Sequence, residues 1–179
     1  YGPQTFENRT RFVAEIVKGI HETCGADFPV EVLMNGAEEN DAELGVYCGV
    51  NTVAEGIEIA KQLEAAGVDC IQVRIGALHN HIGQFMSDAL FNTRGCAGQT
   101  GYGTQYDFDR HFDGKLISEY NGCGIMLDVA KENKDALSIP VGTVSYVDPA
   151  LALDLFDRAI AEGKADYFVL NRALCVDPE

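Results

Sequence analysis

The sequence lacks the features of several large protein classes. No apolar run approaches the roughly 18–20 residues that span a bilayer, and no signal peptide opens the chain. Basic residues are scarce, with 13 Lys and Arg against 28 Asp and Glu, so the net charge is −15 and the isoelectric point is about 4.5. This balance argues against nucleic acid or an anionic membrane as the main partner. It does not exclude one small anion held by local groups.

The six cysteines also lack a metal-binding pattern. None forms a C-x-x-C pair, the spacing typical of zinc and iron–sulfur sites. We therefore predict no metal site in the chain. We interpret the cysteines as reduced thiols of a cytoplasmic protein, and their even number keeps disulfides open as the alternative.

What is present is the composition of a globular protein. A length of 179 residues with 46% apolar residues suits one domain with a hydrophobic core. The first residue is Tyr1 rather than Met, so we expect a processed chain or a part of something longer.

Hydrophobic spacing predicts alternating helices and strands. The predicted helices are 7–23, a segment that begins at the Thr52–Glu55 capping box and ends at Gly67, 125–135, and a segment from Asp148–Pro149 to Gly163. The buried face of the last helix is predicted to comprise Ala152, Leu155, Phe156, Ala159 and Ile160. The predicted strands are 28–34, 68–75, 138–144 and 165–170.

Between the second strand and the third helix lies a long segment, 76–124, that shows no regular pattern. It contains nine of the 19 glycines and three of the four histidines. Loops of this length are uncommon in compact domains and are often functional or disordered.

The repeated strand–helix units predict an α/β fold with a parallel sheet. Two junctions, 64–69 and 161–166, repeat the same order of helix end, Gly, Asp and apolar strand. Four strands cannot close an eight-stranded barrel, which typically takes about 250 residues. The pattern therefore leaves two alternatives, an open sheet or a barrel of which one half is missing.

The first twelve residues resemble a segment of the old yellow enzyme family, the FMN-dependent NADH:flavin oxidoreductases and ene-reductases that include relatives of 2,4-dienoyl-CoA reductase. The family pattern is Y-G-G-S-x-E-N-R-x-R-F, and Glu7-Asn8-Arg9 is its specific part. Further matches follow in the family's order at 28–30, 64–69, 139–141, 148–149, 165–166 and 171–178. The resemblance implies a (β/α)8 TIM barrel of which residues 1–179 form the second half, strands five to eight, with 76–124 as a long insertion after strand six.

The resemblance also implies a cofactor and a reaction. FMN would take hydride from NADH or NADPH and pass it to an activated C=C bond of a small unsaturated substrate. Where relatives carry an iron–sulfur cluster and FAD, these lie outside the part of the family that this chain matches. A homo-oligomer is an open alternative to a monomer.

The expected FMN phosphate site depends on residues after the last two strands. Arg172 matches the family's phosphate-binding Arg, and a surface or helix-capping Arg is the alternative. Asn171 stands where the family has Gly, and Ser145-Tyr146 stand where it has a Gly-Gly or Gly-Arg turn. Ser145 still offers N–H and hydroxyl donors, whereas Tyr146 would cover the phosphate, stack on the flavin or block it.

A second departure concerns the cation near the flavin. Leu33 occupies the place of a strand-five Arg that balances charge near flavin N1 and O2. Arg74, near the end of strand six, is a candidate to supply that cation. Binding of a substrate acid and a salt bridge to a neighbouring Asp are the alternatives for Arg74.

The long segment supplies the catalytic candidates. His79 and His81 fit substrate contact better than a metal site, because loops at the carboxyl ends of barrel strands form the active site. Tyr102 or Tyr106 could donate the proton to the carbon opposite the hydride, with packing of the loop as the alternative.

Three functions are consistent with these patterns. The first is the FMN-dependent oxidoreductase. The second is a divergent barrel that has lost FMN and acts as a non-catalytic binding or assembly subunit, a reading favoured by Leu33, Ser145-Tyr146 and Asn171. The third is another barrel enzyme that keeps the phosphate site for a ligand such as a sugar phosphate, and the matches at 7–9 and 177–178 count against it.

Overall fold

A computed structural model describes residues 1–38, 51–76, 123–144 and 147–170. In these ranges helices and strands alternate. The helices are α1 (Phe6–Cys24), α2 (Val53–Ala65), α3 (Leu127–Ala136) and α4 (Pro149–Ala161), and the strands are β1 (Glu31–Glu38), β2 (Cys70–Gly76), β3 (Val141–Thr143) and β4 (Tyr167–Phe168). The strands form one parallel sheet in the order β1-β2-β3-β4. The predicted α/β fold with a parallel sheet is confirmed.

The predicted helix starts have clear physical causes. Thr52 and Glu55 form both hydrogen bonds of a capping box at the start of α2. Asp148 accepts a hydrogen bond from the Ala150 N–H, and Pro149 follows at the first helical position of α4. These local signals depend only on neighbours in sequence, and all of them are confirmed.

The strand bounds differ from the prediction. The first strand begins at Glu31 rather than Phe28 and continues to Glu38, because Gly36 and Ala37 extend the ladder with β2 through a β-bulge. The third strand comprises only Val141–Thr143. Pro140 lacks a backbone N–H and so ends the ladder on its amino side.

The helices pack on one face of the sheet and enclose the hydrophobic core. Its fully buried members include Val17, Ala60, Leu63, Ile71, Val73 and Val141. The predicted buried face of α4 is wrong for Ile160, which is 43% exposed. Ala159 and Phe156 face the core, and Ile160 lies about 100° further around the helix than Ala159.

No helix within the described ranges is long and apolar enough to cross a membrane.

Two aspartates fasten the amino ends of neighbouring strands. The Asp69 carboxylate accepts a hydrogen bond from the Val30 N–H at 2.7 Å, and the Asp166 carboxylate accepts one from the Val141 N–H at 2.9 Å. In both pairs the aspartate N–H donates back to the partner's carbonyl, at 2.9 and 2.8 Å. The repeated junction in the sequence is therefore a repeated strand-pairing device.

A basic side chain lies near each of these aspartates. Lys134 Nζ lies 2.5 Å from Asp166, and His21 Nε2 lies 3.9 Å from Asp69. Burial raises the pKa of Asp166, but the hydrogen bonds from Lys134 and the Val141 N–H outweigh it, so the net pKa is lowered. Asp166 is therefore held in its charged form at neutral pH.

Glu64 makes a third contact of this kind at the same end of the sheet. One of its carboxylate oxygens accepts hydrogen bonds from the hydroxyl of Ser138, at 2.6 Å, and from its N–H, at 2.8 Å. The hydroxyl contact first and the N–H contact second lower the pKa of Glu64. The contact joins α2 to the segment that leads into β3.

Tyr167 spans the sheet face opposite the helices. Its ring passes over Gly142, where any side chain would collide with it. Its hydroxyl lies 2.6 Å from a carboxylate oxygen of Glu31 and 3.2 Å from the Ile71 carbonyl. Burial, followed by the Glu31 contact, raises the pKa of Tyr167 far above its usual value. The phenol is therefore a neutral donor that ties β4 to β1 and β2.

Candidate functional site

The carboxyl edge of the sheet gathers polar groups from three elements. In a parallel sheet the strands end at one edge, where the chain also begins its helices. A hydrogen bond joins the end of β1 to the start of α2, because the Asn51 N–H donates to a carboxylate oxygen of Glu38 at 2.6 Å. The end of β1 and the segment that begins α2 therefore meet at this edge.

A guanidinium and an amide form the centre of the site. Arg74 on β2 lies opposite Asn35 on β1 in the strand register, and its Nε donates to Asn35 Oδ1 at 3.1 Å. Asn35 Nδ2 in turn donates to Glu38 Oε1 at 2.9 Å. Because Glu38 only accepts and Arg74 only donates, these two partners fix which end of the Asn35 amide faces each of them.

The β-bulge at Gly36 accounts for the contact between Asn35 and Glu38. In a regular strand, residues three apart are separated by about 10 Å and point to opposite faces. The register shift between Asn35 and Ala37 bends the strand and changes the face to which Glu38 points, so the Asn35 and Glu38 side chains meet. Gly36 itself has no room for a side chain, because a Cβ there would lie 2.8 Å from Val73 and 2.9 Å from Val129.

The network continues to the amino end of α1. Asn51 Nδ2 donates to Glu38 Oε1 at 3.0 Å, and Arg9 donates to Asn51 Oδ1. Arg9 also lies 3.8 Å from a carboxylate oxygen of Glu55 in the capping box of α2. Arg9, which belongs to the Glu7-Asn8-Arg9 motif, thus joins α1 to the ends of β1 and α2.

The described part of this edge suits the binding of an anion. Arg74 contributes a cation whose described partner is the neutral amide of Asn35. The one described carboxylate in contact with Asn35 and Asn51, Glu38, is occupied by their N–H groups. Within the described ranges no group of three or more His, Cys, Asp and Glu is placed to hold a metal ion. The described part of the site therefore offers a ligand the positive charge of Arg74 and hydrogen bonds from side-chain groups.

Arg74 is the sequence-predicted site residue that the structure describes. Among the described residues its polar partner is the amide of Asn35, and the alternative of a salt bridge to a neighbouring Asp stays a prediction. Leu33, also discussed above, is 48% exposed on β1. The remaining predicted site residues lie outside the described ranges: His79, His81, Tyr102, Tyr106, Ser145, Tyr146, Asn171 and Arg172.

Sequence reasoning missed Asn35, Glu38 and Asn51 as members of the site. The available signal was Gly36, because a glycine inside a strand pattern often marks a bulge or a close backbone approach. The spacing from Glu38 to Asn51 carries no recognisable signature. Only the folded chain brings these two residues together.

Comparison with known proteins identifies relatives of the whole chain, although no protein-family model matches it. It is 31% identical over 176 residues to the NADH oxidase of Thermoanaerobacter brockii, a match that covers 98% of this chain and 21% of that protein. It is 29% identical over 187 residues to the cinnamate reductase of Clostridium sporogenes, with 98% and 22% coverage.

A solved structure agrees with these sequence matches. The structure of 2-naphthoyl-CoA reductase in complex with 2-naphthoyl-CoA superposes with a TM-score of 0.66 at 26% identity, covering 98% of this chain and 21% of that one. The chain spans about one fifth of the length of the curated relatives it matches. Over that length, the chain is a homologue of the old yellow enzyme-like oxidoreductases.

Proposed function

We propose that the protein is an FMN-dependent oxidoreductase of the ene-reductase type and that residues 1–179 form strands five to eight of its barrel. The observation that carries the proposal is the match of 98% of the chain to an NADH oxidase and to named reductases. The parallel sheet with its polar carboxyl edge supports it, because active sites of such barrels lie at that edge.

The positions of β3 and β4 support an FMN phosphate site. These strands are adjacent and parallel, with Thr143 paired to Phe168. Both strands end at the same edge of the sheet, and Ser145-Tyr146 and Asn171-Arg172 follow them in the sequence. Arg172 would bind the phosphate, and Ser145, Tyr146 and Asn171 would be its further contacts.

The flavin would supply the redox chemistry, carrying hydride from NADH or NADPH to an activated C=C bond. The chain's own residues would bind, orient and balance charge. Arg74 is the described cation at this edge, and it is available to the flavin or to a substrate acid. His79, His81, Tyr102 and Tyr106 remain our candidates for substrate contact and proton donation.

Leu33 favours a second candidate, a divergent barrel that has lost FMN and acts as a non-catalytic binding or assembly subunit. The resemblance calls for a cation at this position, and an exposed leucine stands there instead. Arg74 lies on the neighbouring strand, and it offers a cation that the second candidate does not require.

The full-length protein tests the proposal directly. We expect a yellow protein with absorption bands near about 370 and 450 nm, typical of an oxidised flavin. We also expect it to oxidise NADH or NADPH anaerobically when cinnamate is supplied as the acceptor. A colourless protein that takes up no added FMN would overturn the first candidate and favour the second.

A further inference from the structure

Arg74 differs from every other described lysine and arginine in its partners. Eight of the nine described Lys and Arg residues lie within 4.0 Å of a described carboxylate. The ninth, Arg74, contacts only the neutral amide of Asn35 among the described residues. The chain has 28 acidic and 13 basic residues, and Arg74 is the described cation whose charge is open to an external anion.

The contact with Asn35 orients Arg74 without cancelling its charge. Asn35 occupies Nε, which leaves the two terminal amino groups of the guanidinium for another ligand. Two parallel N–H groups match the two oxygens of a carboxylate. The nearest described carboxylate in the network, Glu38, is separated from Arg74 by the Asn35 amide.

Glu38 keeps the Asn35 amide in the required orientation. Its oxygens accept from Asn35 Nδ2 and from both the N–H and the side-chain amide of Asn51. These donors hold the carboxylate in place, and Arg9 extends the support through Asn51. Without Glu38, Asn35 Nδ2 loses its described acceptor, and Arg74 alone is left to orient the amide.

Leu33 places an apolar surface beside the cation. It lies two residues before Asn35, on the same face of β1 by strand alternation, and pairs in register with Gln72, two residues before Arg74. It is 48% exposed, so it offers apolar area on the same face as the guanidinium, two residues along the strands. A ligand with an anionic head and an apolar body would satisfy both groups.

We propose that Arg74 binds the carboxylate of a conjugated unsaturated acid, the substrate of the proposed reduction, and that Asn35 and Glu38 are positioning residues for it. This inference rests on the proposed function and adds the substrate class. Leu33 contacts the apolar body of the same substrate.

The test compares an acid with its neutral amide in the full-length protein. Steady-state kinetics use cinnamate and cinnamamide, and calorimetry without turnover uses 3-phenylpropanoate and 3-phenylpropanamide. For Arg74→Gln we expect the KM for cinnamate and the Kd for 3-phenylpropanoate to rise about 10- to 100-fold, because a charge-assisted bidentate contact is lost. We expect the values for the amides to change less than about 3-fold.

Asn35→Asp provides a second variant that does not depend on removing Arg74. It places a carboxylate on the guanidinium, so it neutralises the cation in place and should weaken binding of the acid as Arg74→Gln does. Glu38→Gln should raise the KM for the acid by a smaller factor, with kcat little changed. Glu58→Gln, at an exposed ion pair with Lys61, is the matched charge-changing control and should leave both ligands unaffected.

Three outcomes overturn the inference. The first is a wild-type protein that binds 3-phenylpropanoate no better than the amide. The second is no effect of Arg74→Gln or Asn35→Asp on either acid. The third is an equal loss for acid and amide, which would assign Arg74 to the flavin. Failure of the proposed function has a different signature, because a protein without flavin reduces neither substrate while calorimetry still reports on the anion site.

Discussion

At the amino ends of the strands, Asp69 and Asp166 each bind a backbone N–H of the neighbouring strand, and a basic side chain, His21 or Lys134, lies near each carboxylate. At the carboxyl ends, Glu38 also binds a backbone N–H, but its neighbours are the amides of Asn35 and Asn51. The amino edge thus pairs its charges internally, whereas the carboxyl edge holds Arg74 without a described carboxylate. This contrast separates residues that stabilise the sheet from residues that are available to a ligand.

The largest expected effect tests the carboxyl edge through its bulge. Gly36→Ala would place a Cβ at 2.8 Å from Val73 and 2.9 Å from Val129, both anchored in packed elements. We expect the free energy of unfolding to fall by about 1–3 kcal/mol and acid binding to weaken, because the strand must move away and carry Asn35 with it. Urea denaturation and calorimetry measure the two effects.

Gly19→Ala is the control for that substitution. Gly19 lies inside α1, and no atom lies within 4 Å of a Cβ built there. We expect it to raise the free energy of unfolding by up to about 1 kcal/mol through helix propensity. If both variants behave alike, close packing at the bulge is not what shapes this edge.

The bulge also marks the limit of what the sequence could predict. The capping box at Thr52 and the cap at Asp148 follow from residues three or fewer positions apart, and both were predicted. The parallel α/β fold followed from the order of the elements. The contact of Asn35 with Arg74 depends on strand register across 39 residues, which no local pattern encodes. The bulge shifts the register after Asn35 by one residue, so the contact of Asn35 with Glu38 could not be inferred from alternation alone.

The next effect tests the amino edge. Asp166→Ala removes the acceptor for the Val141 N–H and the partner of Lys134. We expect a loss of about 1–2 kcal/mol in the free energy of unfolding, with the KM for cinnamate unchanged. Asp157→Ala, an exposed position of α4 with the same change of charge, should alter neither quantity measurably. A rise in KM for Asp166→Ala would contradict the separation of the two edges.

The smallest expected effect concerns acid, and it isolates the charge of one carboxylate. The contacts with Ser138 lower the pKa of Glu64, so the charged form is bound more tightly in the folded chain than in the unfolded one. The resulting stabilisation is complete above the unfolded pKa, about 4.3 for Glu, and is lost as the pH falls through the lower folded value.

Wild type should therefore exceed Glu64→Gln in stability at pH 7 by up to about 1 kcal/mol. By pH 3 that advantage should be reduced, since a protonated Glu64 resembles the glutamine. Urea denaturation at both pH values measures the difference, with Glu132→Gln at an exposed position of α3 as the control. If the difference in the free energy of unfolding between wild type and Glu64→Gln stays constant from pH 7 to pH 3, Glu64 contributes through its shape and hydrogen bonds. Its charge then does not stabilise the amino edge.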